Sequence, residues 1–517
     1  MNLFKRPKPT VSHTSFSILF ITVLFVFSNL INMDKLTIWF HRADAIDYSG
    51  LGAYLIFALG ICIATFILIA HRWTIKPAAI LLVVMSAMAT YFIAKYNVAV
   101  DRSMIMNTIH TDVSEVTGLL SIQMIPYFLF LVLLPVLIIV KVNISFSRPL
   151  KYLSASLILF IISLSLATGM LYLQYNSIHR AGNLSNKYII HSLVPLNIMV
   201  SSASGIHRSI QAYNRRHKKP VVITGRVTEP GNLVVVLVIG ESSRQKSFSL
   251  YGYDGQETNP VLSKIPGLTT LNGIARVGST LLALPEILEK KEVKLPAITS
   301  KLGIDTACYV NYTLYDNCDA VGEIKVSDCA HEGKCYDEDV IPLLEKNLES
   351  YVSGYRMVVL HLGGGSHGPK YRDRYPPEFQ RFNPQCLEAD LVNYCSIEQI
   401  YNSYDNTILY VDYVLGKIIG KLDASKAPYV FIYLSDHGES LLENDRIFHG
   451  MPPGIPLPAE QAQVPLIVKS SIPISIVQRD EYSQQSVYDT VLALFSIETD
   501  ILDKDSVFLK IIPPGGS

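Results

Sequence analysis

The chain has 517 residues, and its 44 Lys+Arg balance 44 Asp+Glu to a formal charge of zero, so it lacks the basic excess of an electrostatic nucleic-acid binder. Hydrophobic residues make up 49% and charged residues only 17%, which excludes a disordered chain and points to a membrane protein. Nearly all the long apolar runs lie before about residue 175, and six of the seven cysteines and nearly all the paired acidic residues lie after residue 230, so two parts with different solvents are implied.

Five apolar stretches, at about 15–33, 50–70, 76–96, 119–140 and 153–173, are long enough to cross a bilayer of about 30 Å at about 1.5 Å per helical residue. The first follows Lys5, Arg6 and Lys8 without a small-residue cleavage site, so it reads as an anchor rather than a removable leader. Basic residues sit at Arg72 and Lys76 and at Lys141, Arg148 and Lys151, which places the N-terminus in the cytoplasm and everything after about 175 across the membrane. The expected organisation is a five-helix transmembrane domain over 1–175, a connector over 176–230 and a catalytic domain over 231–517. The connector carries the basic run Arg215, Arg216, His217, Lys218, Lys219, read as a solvated linker face in preference to a contact with anionic head groups.

Of the seven cysteines, Cys62 falls inside a span, and the other six fall as neighbours in the chain. Short loops and an oxidising compartment favour Cys308–Cys318, Cys329–Cys335 and Cys386–Cys395, each contributing about 2–3 kcal/mol by loop entropy. The spacing CxxC of a zinc ribbon is absent.

After residue 230, Leu233–Ile239, Met357–Leu360 and Tyr429–Leu434 are continuous β-branched and aromatic runs, the pattern of parallel strands covered on both faces. Helical segments such as 397–421 lie between them, giving an α/β class. The first run ends in Gly240-Glu241-Ser242-Ser243-Arg244, the second leads from His361 to Ser366-His367-Gly368, and the third ends in Ser435-Asp436-His437-Gly438-Glu439. Open parallel sheets place their sites at this carboxyl edge, and Glu, Asp and His suit Zn2+, with Ca2+ or Mn2+ also compatible with the donors. Asp436 and His437 are adjacent, so a turn is required for both to reach one ion. Ser242 neighbours Glu241 but would point away from it on a continuing strand, and Gly240-Glu241-Ser242 lacks the later glycine of a nucleophile elbow because Arg244 stands there.

The stretches IGESSRQKSFSLYGYDGQETNP, GSHGPKYRDRYP and LSDHGES followed by His449-Gly450 resemble the phosphoethanolamine transferases that modify bacterial lipopolysaccharide, including the mobile colistin-resistance enzymes. The resemblance implies a multi-pass α-helical membrane domain followed by an α/β alkaline phosphatase-like periplasmic domain, anchored in the bacterial inner membrane. It also implies Zn2+ bound by Glu241, Asp436 and His437 with Thr280, which lies in Gly278-Ser279-Thr280-Leu-Leu-Ala-Leu-Pro285, as both ligand and nucleophile. His367 and His449 correspond to catalytic histidines that contact the phosphoryl group or a second metal, and Asn107, Thr111 and Glu115 to residues that contact the donor head group. The implied reaction moves phosphoethanolamine from phosphatidylethanolamine to lipid A or a core sugar of lipopolysaccharide through a covalent threonine intermediate.

Three features depart from that family. Val277 and Glu286 replace cysteines that often flank the threonine segment, Asp319 replaces a lysine found in some members, and the interval from His361 to His367 is one residue longer. The main alternative is a glycerol phosphate transferase of the lipoteichoic acid synthase type. A sulfatase would need a CxPxR-like segment, which is absent, and a non-catalytic membrane sensor would have lost at least one of the four ligand and nucleophile positions.

Overall fold

The computed structural model describes residues 10–42, 45–98, 100–102, 104–105, 124–185, 188–216, 224–331, 334–363, 365–388, 390–452 and 454–512. Asn107, Thr111 and Glu115 lie outside the described residues. The chain divides into two compact units, Met1–Arg215 with Pro452–Ile455, and Arg216–Met451 with Pro456–Ser517.

Among the described residues of the first unit, five helices are long and apolar enough to cross a membrane: α1 (His13–Leu30), α2 (Tyr48–Ile69), α3 (Ile75–Tyr96), α4 (Met124–Lys141) and α5 (Pro149–Leu173). Polar side chains define their starts: Ser12 accepts from Ser15 N (3.1 Å) at α1, and Asp47 accepts from Gly50 N (2.9 Å) at α2. The fifth helix begins at Pro149 rather than near 153, because proline needs no donor in a first turn. Within α4, Phe128–Leu133 form a π turn just before Leu134-Pro135, where the missing proline N–H breaks the regular ladder. Asn29 in α1 is buried, and its side chain exchanges hydrogen bonds with the backbone of Val194 (2.5 and 3.1 Å), so this polar group in an apolar span is satisfied. Two further helices, α6 (Tyr175–Leu184) and α7 (Leu196–Arg216), make up much of the connector.

The second unit is built on one eight-stranded sheet. In chain order its strands are β1 (Leu233–Gly240), β2 (Thr269–Ile274), β3 (Asp305–Val310), β4 (Glu323–Lys325), β5 (Tyr355–Leu362), β6 (Tyr429–Ser435), β7 (Gln463–Ser470) and β8 (Tyr482–Ser483), and across the sheet they run β4-β3-β5-β1-β6-β7-β2-β8. The three apolar runs are the three central strands, β5, β1 and β6, all parallel. Every residue of β1 is buried, as expected of a strand covered on both faces. Gly240 is opposite Leu362 on one side and Ser435 on the other, so the three strands end level and release their following residues at one edge.

Helix α8 (Thr280–Leu288) starts at Thr280, and α9 (Ile397–Ser425) opens with a capping box in which Ser396 and Gln399 satisfy each other's backbone. The inward face of α9 is unusually polar: Asn402, Ser403, Asp405, Asn406 and Asp412 are all buried. They hold loops rather than strands. Asp412 accepts from Val261 N and Leu262 N (2.8 and 3.0 Å), Asn406 from Phe382 N (2.8 Å), Ser403 from Cys386 N (2.7 Å), and Asp405 from the Tyr253 hydroxyl (2.7 Å). Cys308–Cys318, Cys329–Cys335 and Cys386–Cys395 are disulfides, and Cys62 is free and buried, as the sequence predicts.

Candidate active site

The level strand ends bring Glu241, Asp436 and His437 together, with one donor atom of each within 4.8 Å of the others. Asp436 N–H donates to Gly240 O (3.0 Å), which fixes the β6 end against the β1 end. The chain then turns: His437 N–H donates to the Asp436 side chain (2.7 Å), so both side chains reach the same point. Gly438 allows the turn, since a Cβ there would lie 2.1 Å from Glu460 O. Gly365 is equally restricted, with φ +29° and a Cβ position 2.4 Å from Glu241 O.

Thr280 enters from the N-terminus of α8, where its Oγ1 donates to Glu241 Oε2 (2.8 Å). The hydroxyl of Ser279 is buried without a hydrogen-bond partner. His437 Nδ1 donates to Gly438 O (3.0 Å), which turns its Nε2 toward Asp436 Oδ2 (3.2 Å) and Glu241 Oε1 (3.6 Å). Burial and the charge of Glu241 push the Asp436 carboxyl up. Burial acts in the same sense on Glu241, but His437, His367 and His449 overcome it and hold that carboxyl down. Two carboxylates this close and this buried do not both stay ionised unless a positive charge is shared between them; otherwise one holds a proton. Asp436 Oδ2 and His437 Nε2 are buried without a hydrogen-bond partner, and they face the carboxylate that receives Thr280. Buried, unpartnered oxygen and nitrogen donors in this number fit a divalent ion such as Zn2+.

His367 and His449 join the cluster. The rings of His367 and His449 are 4.8 Å apart, and those of His437 and His449 are 4.3 Å apart. His449 Nδ1 donates to Glu439 Oε2 (2.7 Å), and Glu439 Oε1 accepts from the Tyr371 hydroxyl (3.1 Å) and Gly368 N (3.3 Å). Burial pushes the Glu439 carboxyl up to about 7. Nδ1 of His449 is engaged by a carboxylate and Nδ1 of His367 by Gly368 O (2.5 Å), which fixes the orientation of each ring.

Two neighbours were not assigned roles from the sequence. Glu439 lies two residues after His437, but adjacency alone does not separate an orienting carboxylate from a solvated one. Ser242 does not continue the strand. Its φ of +56° reverses the side chain, so the hydroxyl donates to Glu241 Oε1 (2.6 Å) while its N–H donates to Asp436 Oδ1 (3.0 Å) and its carbonyl accepts from Tyr404 (2.8 Å). A left-handed serine is strained by about 1 kcal/mol or more, and these bonds hold it there. Ser242→Gly is expected to leave the melting temperature nearly unchanged while lowering kcat about tenfold, because glycine accepts the backbone but releases Glu241. A glycine variant with parental kcat would show that the hydroxyl does not orient Glu241.

Arg244 lies under this layer, fully buried, between the Tyr401 and Tyr404 rings (5.0 and 5.2 Å). Its Nη1 donates to Glu443 Oε1 (2.6 Å) and its Nε to Ser247 Oγ (2.9 Å). Glu443 sits at the tip of the hairpin that pairs Ser440–Leu441 with Ile447–Phe448. That hairpin separates Glu439 from His449, so the ion pair ties the Glu241 turn to both. Asp319 points elsewhere: it is exposed and faces Lys294 at 3.9 Å.

Residues 56–210 match the family described as phosphoethanolamine transferase EptA/EptB, and residues 289–497 match the sulfatase family. Phosphoethanolamine transferase EptA of Escherichia coli (strain K12) is 32% identical over 473 residues, covering 83% of this chain and 84% of that protein. Phosphatidylethanolamine transferase Mcr-1 of Escherichia coli is 26% identical over 534 residues, covering 93% and 95%. The solved structure of the integral membrane lipooligosaccharide phosphoethanolamine transferase A from Neisseria meningitidis shares the fold, with a TM-score of 0.81 and 23% identity over 96% of this chain and 98% of its own. On its identity and coverage with the Escherichia coli relative, and on the two families matched in succession along it, the chain belongs to the EptA family of phosphoethanolamine transferases.

Proposed function

We propose that the chain transfers phosphoethanolamine from phosphatidylethanolamine to lipid A or a core sugar of lipopolysaccharide, with Thr280 as nucleophile. The observation that carries this reading is the Thr280 hydroxyl donating at 2.8 Å to Glu241, beside the unpartnered donors of Asp436 and His437. Glu241, Asp436, His437 and Thr280 would hold Zn2+, which supplies a Lewis acid that lowers the hydroxyl pKa and offsets phosphoryl charge.

Glu241 and the start of α8 aim the Thr280 oxygen, and the positive end of the helix favours a phosphoryl group there. In the first half-reaction a Thr280–phosphorus bond forms, the bond from phosphorus to the diacylglycerol oxygen breaks, and diacylglycerol leaves with a proton. In the second, an oxygen of the acceptor attacks the same phosphorus, and the Thr280 oxygen leaves and regains its proton. His449, oriented by Glu439, and His367 serve as proton carriers or as donors to the phosphoryl oxygens. Asn107, Thr111 and Glu115 are assigned to the donor head group.

The three-part organisation over 1–175, 176–230 and 231–517 fits this chemistry, with the first part spanning the bacterial inner membrane and the last in the periplasm. Three disulfides suit that oxidising compartment. Anchoring raises the effective concentration of two lipid substrates. Each transfer places an ammonium beside an anionic lipid A phosphate, which weakens the surface's attraction for cationic peptides such as polymyxins.

The test is the purified full-length chain with phosphatidylethanolamine, phosphatidylglycerol and lipid A, followed by mass spectrometry of the lipids and of the Thr280 peptide. Phosphoethanolamine on both is expected, and glycerol phosphate on the peptide would favour the lipoteichoic acid synthase type instead. Chelation is expected to reduce transfer about 100-fold or more, with zinc restoring it, and Asp436→Ala is expected to lower bound zinc by elemental analysis. Full zinc content in that variant would remove Asp436 from the ligand set.

A further inference from the structure

Immediately after His367 and Gly368-Pro369 the chain forms a short turn, Tyr371–Arg374, that carries Arg372 and Arg374 and follows Lys370. The guanidinium of Arg374 lies on the active-site histidine: its Nε donates to His367 O (2.9 Å), and its Nη2 is 3.4 Å from His367 Nδ1. Lys334 stands over the Tyr336 ring at 4.9 Å. Partial burial pulls its ammonium below the ordinary value, with Asp373 opposing and Arg374 adding to the effect, so Lys334 lies within electrostatic reach of Arg374. Lys334 and Arg372 are exposed, and Lys370 and Arg374 are half-buried. None of the four forms an ion pair among the described residues, whereas Lys290, Lys294, Arg356 and Lys421 in the same unit each face a carboxylate. Four cations against the one carboxylate between them, Asp373, leave net positive charge beside His367 for an anionic ligand.

We propose that Lys334, Lys370, Arg372 and Arg374 form the docking site for the phosphate of the acceptor lipid, beside His367. The inference rests on the transferase reading above and adds where the acceptor binds. Charge selects between the two lipid phosphates. The phosphodiester of phosphatidylethanolamine carries one negative charge that its own ammonium offsets, so the donor is neutral overall. A phosphate monoester on a sugar carries about −1.5 to −2 at neutral pH. A cluster of cations therefore favours the acceptor, and its place next to His367 puts an acceptor oxygen near the phosphoryl group to be transferred. Arg374 is the inner member, fixed by His367, and Lys334, Lys370 and Arg372 form the outer rim that attracts the monoester before it is seated.

The test uses the full-length chain carrying K334Q, K370Q and R372Q together, which leaves Arg374 and its bond to His367 intact. Transfer to phosphorylated lipid A and diacylglycerol release from phosphatidylethanolamine are both measured. The expected result is an acceptor KM raised about tenfold with kcat little changed, and a KM that no longer climbs with salt as steeply as in the parent. The charge-retaining variant K334R/K370R/R372K is expected to restore the parental KM. An unchanged acceptor KM overturns the site, and so does a matching loss in diacylglycerol release, which would assign the charges to the donor phosphodiester. Failure of the unaltered chain to release diacylglycerol would overturn the transferase reading itself and the acceptor site with it.

Discussion

Replacing Thr280 by alanine is expected to abolish transfer, by about 1,000-fold or more, and to eliminate any covalent phosphoethanolamine on the protein. The hydroxyl is the only group on α8 that donates to Glu241, and nothing else on that helix can take its place. Thr280→Ser should keep a measurable fraction of the rate, because the nucleophilic oxygen survives while the methyl that restricts its rotamer is lost. Ser279 is the neighbouring hydroxyl, but it is the N-cap residue with extended backbone, and its oxygen is buried without a partner. Intact-protein mass spectrometry during turnover separates the two. A Thr280→Ala chain that transfers at the parental rate, with Ser279→Ala inactive, would reassign the nucleophile.

Arg244→Met is expected to destabilise the catalytic unit by about 3–5 kcal/mol, the range for breaking a buried ion pair from one side. The methionine fills much of the same space between Tyr401 and Tyr404, so the loss is electrostatic rather than a cavity. Glu443 is left as a largely buried carboxylate with its cation gone, although Tyr401 (2.9 Å) and Leu441 N (2.5 Å) still donate to it. Burial raises the Glu443 carboxyl, and Arg244 is the main group that holds it down. Activity should fall further than stability alone explains, since the ion pair joins the Glu241 turn to the hairpin between Glu439 and His449. Calorimetry of the purified chain gives the first quantity and transfer assays on the folded fraction the second. A variant that melts with the parent would show that the tyrosine rings, not the charge pair, hold this layer.

The parts of the fold that were legible in the sequence are those with one dominant physical demand. Five spans can be read because a bilayer requires about 20 apolar residues in a row, and β1, β5 and β6 because burial on both faces leaves no room for alternation. Strands β2, β4 and β8 could not be read in this way. Their sequences, TTLNGI, EIK and YS, are short or polar, and the sheet recruits them by pairing rather than by composition. In the site, Glu241, Asp436 and His437 were legible because each follows a recognisable strand. Thr280 follows no such strand and could be placed only through the family resemblance. The orientation of Ser242 was not legible for a definite reason: alternation along a strand holds only if the strand continues, and a positive φ at the first residue after Glu241 ends it.

The polar inner face of α9 changes what stabilising this protein would involve. A designer who sees Asn402, Ser403, Asp405, Asn406 and Asp412 buried in one helix would be tempted to replace them with leucine and alanine, which raise helix propensity and apolar area together. Replacing Ser403, Asp405, Asn406 or Asp412 would instead orphan backbone or hydroxyl donors of the loops around 253–262 and 381–386, and replacing Asn402 would orphan the Pro384 carbonyl and the Gln256 amide. This helix works as a rack on which loops hang, and its tolerance to mutation is set by what it holds up rather than by how well it coils.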